Sequence, residues 1–159
     1  MELTLNSAIA KFGLKAKEKL SNPAVTGQPE DQLRNPFENL LADLAKLCGL
    51  QKDAVSAVGE SSLSDLKTRP DFAVTVNKAL VGFIEVKAPG KGADPRKFEK
   101  DSHDSQQWEK LKSLPNLRYA DGNAFSLWRD GKLEERSSSS TETSKLPAPN
   151  LKRRKRCAR

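Results

Sequence analysis

The sequence predicts an α/β (α+β) fold in which helices flank one mixed central sheet. Two helical patterns open the chain, and the period changes near Ala54 to short β-rich runs separated by turn signals. A third helical pattern interrupts those runs, so the implied order is α-α-β-β-β-α-β-β. At 159 residues, with 36% hydrophobic and 31% charged residues, the chain has room for one domain with its own core.

The first helix is expected over Leu5 to Leu20, with Ile9, Phe12 or Leu14, Ala16 and Leu20 set among lysines. Asn22-Pro23 and Gly27 punctuate it. A second helix carries Leu33, Phe37, Leu40, Leu41, Leu44 and Leu47 at steps of three and four, and Gly49 ends it. Pro36 leaves two readings open: a helix kinked there, or one that starts there with Asn35 as its cap. Val55 to Val58 reads as a short strand and Ser61 to Thr68 as a polar connection. Phe72 to Val76 and Leu80 to Val86 read as strands joined at Asn77-Lys78. Gly90 to Lys100 is a polar loop and Ser105 to Leu114 a helix. Leu117 to Ala120 and Ala124 to Leu133 are two closing strands, with Asp121-Gly122 as their turn.

Composition narrows the function classes. No apolar run approaches the roughly 20 residues of a membrane span, and Met1-Glu2-Leu3 does not open a secretory signal, so a cytoplasmic protein is expected. Cys48 and Cys157 read as reduced thiols. His103, the single histidine, excludes multi-histidine metal sites and reads as a solvated loop residue. The net charge of +7 is mostly a tail effect. Leu151 to Arg159 holds six basic residues and no acid, leaving 22 basic against 21 acidic residues elsewhere. Trp108, Leu127 and Trp128 read as core rather than as a stacking platform for bases.

Chemistry concentrates in Pro70-Asp71, thirteen further residues, then Glu85-Val86-Lys87. Alternate strand residues share a face, so Glu85 and Lys87 project together while Ile84 and Val86 face the other way. The hairpin brings Asp71 alongside. Two carboxylates beside an ammonium suit a Mg²⁺ ion, with the lysine handling water or phosphate. A Glu/Lys pair on a solvated sheet edge is the plain alternative. Against it, the pair ends an apolar run, where charge is costly unless paired or liganded.

These residues, taken with their neighbours, resemble the N-terminal PD-(D/E)xK nuclease-like domain of adenine-specific DNA methyltransferases in restriction-modification systems, of the type ISP and type IIG kinds. The resemblance runs through Gln28-Pro-Glu-Asp-Gln-Leu, Pro36-Phe-Glu-Asn-Leu-Leu, Arg69-Pro-Asp-Phe-Ala-Val and Gly82-Phe-Ile-Glu-Val-Lys-Ala-Pro-Gly. It continues through Gln107-Trp and Asp121-Gly-Asn to Phe125-Ser-Leu-Trp-Arg-Asp-Gly131. It implies a restriction-endonuclease-like core and a Mg²⁺-dependent endonuclease acting on double-stranded DNA. Asp71, Glu85 and the Val86 carbonyl would be metal ligands and Lys87 would activate or orient water. Lys87 ends its strand, so its removal is expected to spare the fold. Glu38 matches a further glutamate of the family, although with Asn35 as cap it would instead complete a capping box. Gln106 or Gln107 matches a family glutamine. Lys91, Arg96 and Lys97 form a modest basic loop suited to DNA phosphates.

The resemblance ends near Leu133. The domain is expected to span 1–135, followed by a disordered Ser/Thr/Pro-rich and basic tail over 136–159. Neither the Gly-rich cofactor loop nor the Asn-Pro-Pro-Tyr motif of a methylase is present, so methyltransferase and target-recognition domains would belong to a longer relative. The break in composition reads as a truncated product with a tail out of frame. The rival readings are a non-catalytic DNA-binding or assembly module, and an inert methyltransferase fragment.

Overall fold

A computed structural model describes residues 2–24, 27–59 and 69–138. The expected polar connection at Ser61 to Thr68, Cys157, and the tail beyond Ser138 lie outside the described residues.

Helix α1 (Leu5–Ser21) is capped by Thr4, whose hydroxyl accepts from the Ser7 N–H while Ser7 returns a bond to Thr4. Its buried face is Ala8, Phe12 and Ala16, not the expected Ile9 and Leu14, which are 52% and 70% exposed. The two alanines let α1 approach α2 (Pro29–Leu47) closely, and Phe12 meets Phe37 with ring centroids 4.8 Å apart. Pro29 occupies the first turn of α2, with Glu30 and Asp31 beside it favouring the helix dipole. The helix then continues through Pro36, so Asn35 is not a cap. Pro36 gives up one backbone hydrogen bond, and its ring is buried with Leu33, Phe37 and Leu40. Gly49, at φ 73°, ends the helix: its N–H donates to the Lys46 carbonyl and that of Leu50 to Ala45, the paired bonds of a Schellman motif.

Six strands follow among the described residues: β1 (Val55–Gly59), β2 (Phe72–Val76), β3 (Ala79–Val86), β4 (Leu117–Ala120), β5 (Ala124–Arg129) and β6 (Lys132–Ser138). They lie side by side in sequence order, every pair antiparallel except β3–β4. That parallel pair needs a crossover, and helix α3 (His103–Leu111) supplies it. α3 starts two residues earlier than Ser105 because the Ser102 hydroxyl accepts from the Ser105 N–H as N-cap. His103 is therefore helical. The preceding loop holds a 3₁₀ turn at Pro95–Lys97.

Asn77 and Lys78, at φ 50° and 68°, form the two-residue turn between β2 and β3. Val74 opposes Gly82 while Thr75 opposes Leu80, so Val81 is an extra residue that kinks β3 just before the apolar run. The segment Ala124 to Leu133 is two strands, not one. Asp130-Gly131, with φ 47° and 74°, folds it back, and β6 runs on to Ser138, past the boundary expected at 135.

The sheet separates two cores. Helices α1 and α2 cover Phe72, Ile84, Val86 and Ala120 on one face. On the other, Trp108 and Leu111 of α3 pack with Ala73, Phe83, Leu117, Tyr119 and Trp128. The α-over-sheet-over-α arrangement is the restriction-endonuclease-like fold that the resemblance implied. Trp108 and Trp128 are core residues as expected, whereas Leu127 is half-buried.

Gly82 marks the closest approach across the parallel seam. A Cβ there would stand 2.5 Å from the Asn116 carbonyl oxygen, which already accepts from the Phe83 N–H. Gly82→Ala is expected to destabilise the fold by about 1–3 kcal/mol through overpacking against backbone. Thermal denaturation checks this, and an unchanged melting temperature would show that the Asn116 turn yields freely.

Candidate active site

The hairpin register sets the geometry. Phe72 pairs with Ile84, so the preceding residue, Asp71, comes level with Glu85. The Asp71 N–H donates to Glu85 Oε2 at 3.4 Å, and the Val86 N–H donates to Asp71 Oδ2 at 2.7 Å. Asp71 Oδ1 accepts from the Arg34 guanidinium at 2.8 Å. Lys87, just past β3, is buried rather than at an open strand end. Its ammonium donates to Glu85 Oε1 (2.9 Å), Asp104 Oδ1 (2.8 Å) and Gln107 Oε1 (2.7 Å). An ammonium has three N–H donors, and each has an acceptor here. Asp104 and Gln107 lie three residues apart on α3 and so share the face turned to Lys87. Asp104 also accepts from the Lys91 ammonium.

Burial governs the electrostatics, since Glu85 is only 3% exposed. Desolvation and the neighbouring Asp71 charge push the Glu85 carboxyl up to about 7. Burial likewise raises Asp71, outweighing the Val86 N–H and the Arg34 charge. For Lys87 burial pulls the pKa down, but Glu85 and Asp104 outweigh it and the net direction is up. For Asp104 burial pushes up, and the bonds from Lys87 and Lys91 win, leaving it below the usual carboxylate range. Tyr119, level with Glu85 across the seam, has a buried hydroxyl with no hydrogen-bond partner among the described residues, and burial keeps it protonated.

Two adjacent carboxylates held above their ordinary pKa values gain from a nearby positive charge. Their hard oxygens match the ligand preference of Mg²⁺. Among the described residues no group of three or more His, Cys, Asp or Glu side chains forms a metal cage. An ion here would have to complete its shell with backbone, water or substrate oxygens, as Mg²⁺ commonly does.

The other expected site residues divide. Gln107, not Gln106, faces the cluster; the Gln106 amide donates to the Asp101 carbonyl. Glu38 is exposed on α2, and its side chain makes no hydrogen bond or ion pair among the described residues. Its alternative role in a capping box fails too, because α2 starts at Pro29. The side chain that α2 does present to the carboxylates is Arg34, one turn earlier. In the basic loop, Lys91 pairs with Asp104. Arg96 is bonded twice to Asp94, at 2.9 Å each, and lies 5.1 Å from the centre of the Trp128 ring. Lys97 is exposed. Arg34 and Asp104 were not expected from the sequence. Asp104 had a signal in its spacing of three from Gln107, and Arg34 had one in its spacing of four from Glu38.

Asp121 holds the loop after β3 in place. One carboxylate oxygen accepts from the N–H groups of Gly90 and Gly92, the other from Asn123 and Ala124. Lys91 is thereby fixed over α3 by backbone bonds on both sides.

No protein-family model matches the chain, and no curated protein matches it. Among solved structures, the chain is similar to one described as a cryo-EM structure of a DrdV–DNA complex, with a TM-score of 0.58 and 18% identity. The likeness covers 85% of this chain and 12% of that one, and it shows that the two share a fold.

Proposed function

We propose that this chain is the nuclease domain of a DNA restriction system, a Mg²⁺-dependent endonuclease that hydrolyses phosphodiester bonds in double-stranded DNA. The observation that carries the reading is the pairing of Asp71 with Glu85 at the end of β3, beside a lysine whose three donors are all engaged. The similar fold seen in a complex with DNA supports the choice of substrate.

In this reading Asp71, Glu85 and the Val86 carbonyl hold the ion. When bound, Mg²⁺ supplies charge neutralisation at the phosphate and a lower pKa for attacking water. The chain's own residues do the rest. Lys87 is held as an ammonium, so it cannot take a proton from water; its part is to orient water and offset charge at the phosphoryl group. Asp104 and Gln107 position that ammonium. Water adds to phosphorus and the bond to the 3′ oxygen breaks, leaving a 5′-phosphate and a 3′-hydroxyl.

Grip on DNA is modest in the described residues, because Lys91 and Arg96 are engaged with Asp104 and Asp94. In this reading target choice and methylation would belong to other domains of a longer relative; the chain spans 12% of the length of the solved structure it resembles. No helix among the described residues is long and apolar enough to cross a membrane.

The test is conversion of supercoiled plasmid to nicked or linear DNA with Mg²⁺, with EDTA, and with Asp71→Ala. Cutting by the wild type only in Mg²⁺, lost in the variant, is the expected result. DNA binding without Mg²⁺-dependent cutting would favour a non-catalytic module.

A further inference from the structure

Asp71 has a donor on each carboxylate oxygen before any metal arrives: Val86 N–H on Oδ2 and the Arg34 guanidinium on Oδ1. The Arg34 side chain is 29% exposed and also lies 3.5 Å from Asp31 on its own helix. Asp71, Glu85 and Asp104 face Arg34, Lys87 and Lys91, and Asp31 shares the Arg34 charge. A divalent cation on Asp71 would sit close to the guanidinium, and like charges at such range repel strongly in a partly buried site. The two therefore compete for one carboxylate. A guanidinium binds a phosphodiester with the same forked geometry that it uses for a carboxylate. Unlike Lys87, Arg34 stands at the solvent-facing side of the cluster.

We propose that Arg34 is a phosphate-binding residue held in reserve. In the free protein it neutralises Asp71; on DNA it moves to a backbone phosphate and releases Asp71 Oδ1 to the metal. DNA binding and metal loading then reinforce each other. The inference rests on the reading of Asp71 and Glu85 as metal ligands.

The test is calorimetric titration of the full chain with Ca²⁺, with and without a short DNA duplex, for wild type, Arg34→Gln and Asp71→Asn. In the free protein Arg34→Gln is expected to tighten Ca²⁺ binding roughly five- to tenfold, and much of the tightening that DNA confers on wild type should vanish. DNA affinity should fall in the same variant. Arg34→Met, which keeps the aliphatic stem, gives the same comparison where the Gln variant is unstable. Unchanged or weaker Ca²⁺ binding in folded Arg34 variants would overturn the proposal. Equal Ca²⁺ binding by wild type and Asp71→Asn, or none by either, would instead overturn the metal-site reading beneath it.

Discussion

Lys87→Ala is expected to abolish cleavage and to weaken the fold at the same time. The sequence suggested that this truncation at a strand end would spare the fold, but the ammonium is buried among Glu85, Asp104 and Gln107. Removing it strands two carboxylates in a dry site, and breaking a buried pair in this way costs about 3–5 kcal/mol. Protonation of Glu85, whose pKa is already near 7, and the Lys91 contact to Asp104 offset part of that loss. Loss of a fixed positive charge at a phosphoryl centre lowers the rate by about a hundred- to a thousandfold. Plasmid cleavage and thermal denaturation on the same preparation check both arms. Full stability in Lys87→Ala would mean that its three bonds only balance its desolvation.

Glu85→Gln should separate the two properties, ending cleavage while raising stability above neutral pH. The folded pKa of Glu85, about 7, lies above the ordinary 4.5, so the folded chain binds this proton more tightly than the unfolded chain. The resulting stability is fully present below pH 4.5 and is lost as pH rises through 7. By pH 8 the loss is about 3 kcal/mol, from the free energy of one pKa unit applied to that shift. The substituted amide does not ionise and escapes the loss, and Lys87 keeps Asp104 and Gln107 as acceptors. In EDTA, melting temperatures across pH 4 to 8 should fall for wild type relative to the variant. Parallel curves would show that Glu85 is already compensated by Lys87 in the folded state.

The parts of the site that strands carry were legible because strand period is strict. Once Asp71 and Glu85-Val86-Lys87 are placed on neighbouring strands, sharing a face follows from alternation. Helical contributions were not. Glu38 and Arg34 lie one turn apart on α2, and which of them reaches Asp71 depends on how α2 sits on the sheet, a tertiary fact with no periodic trace. The same is true of α1, where Ala8 rather than Ile9 faces α2 because small residues permit the closer crossing. At Pro36 the sequence left two readings open, a helix running through it or one starting there, and burial of its ring in the core decides for the first. The turn at Asp130-Gly131 was readable, since it is the same dipeptide as Asp121-Gly122, yet the apolar residues on both sides hid it.

The strand order also bears on how the molecule assembles. Nearly every sheet neighbour is close in sequence, and the pairing of β3 with β4 spans the longest stretch of chain in the sheet. Closing that stretch carries the largest loop entropy, and α3, with Asp104 and Gln107, lies within it. A nascent chain with only its N-terminal hairpins formed thus holds Asp71 and Glu85 together but leaves Lys87 without its helix-borne acceptors. The cluster becomes whole only when the parallel seam shuts, so a half-made chain lacks the settled ammonium on which the proposed cutting depends.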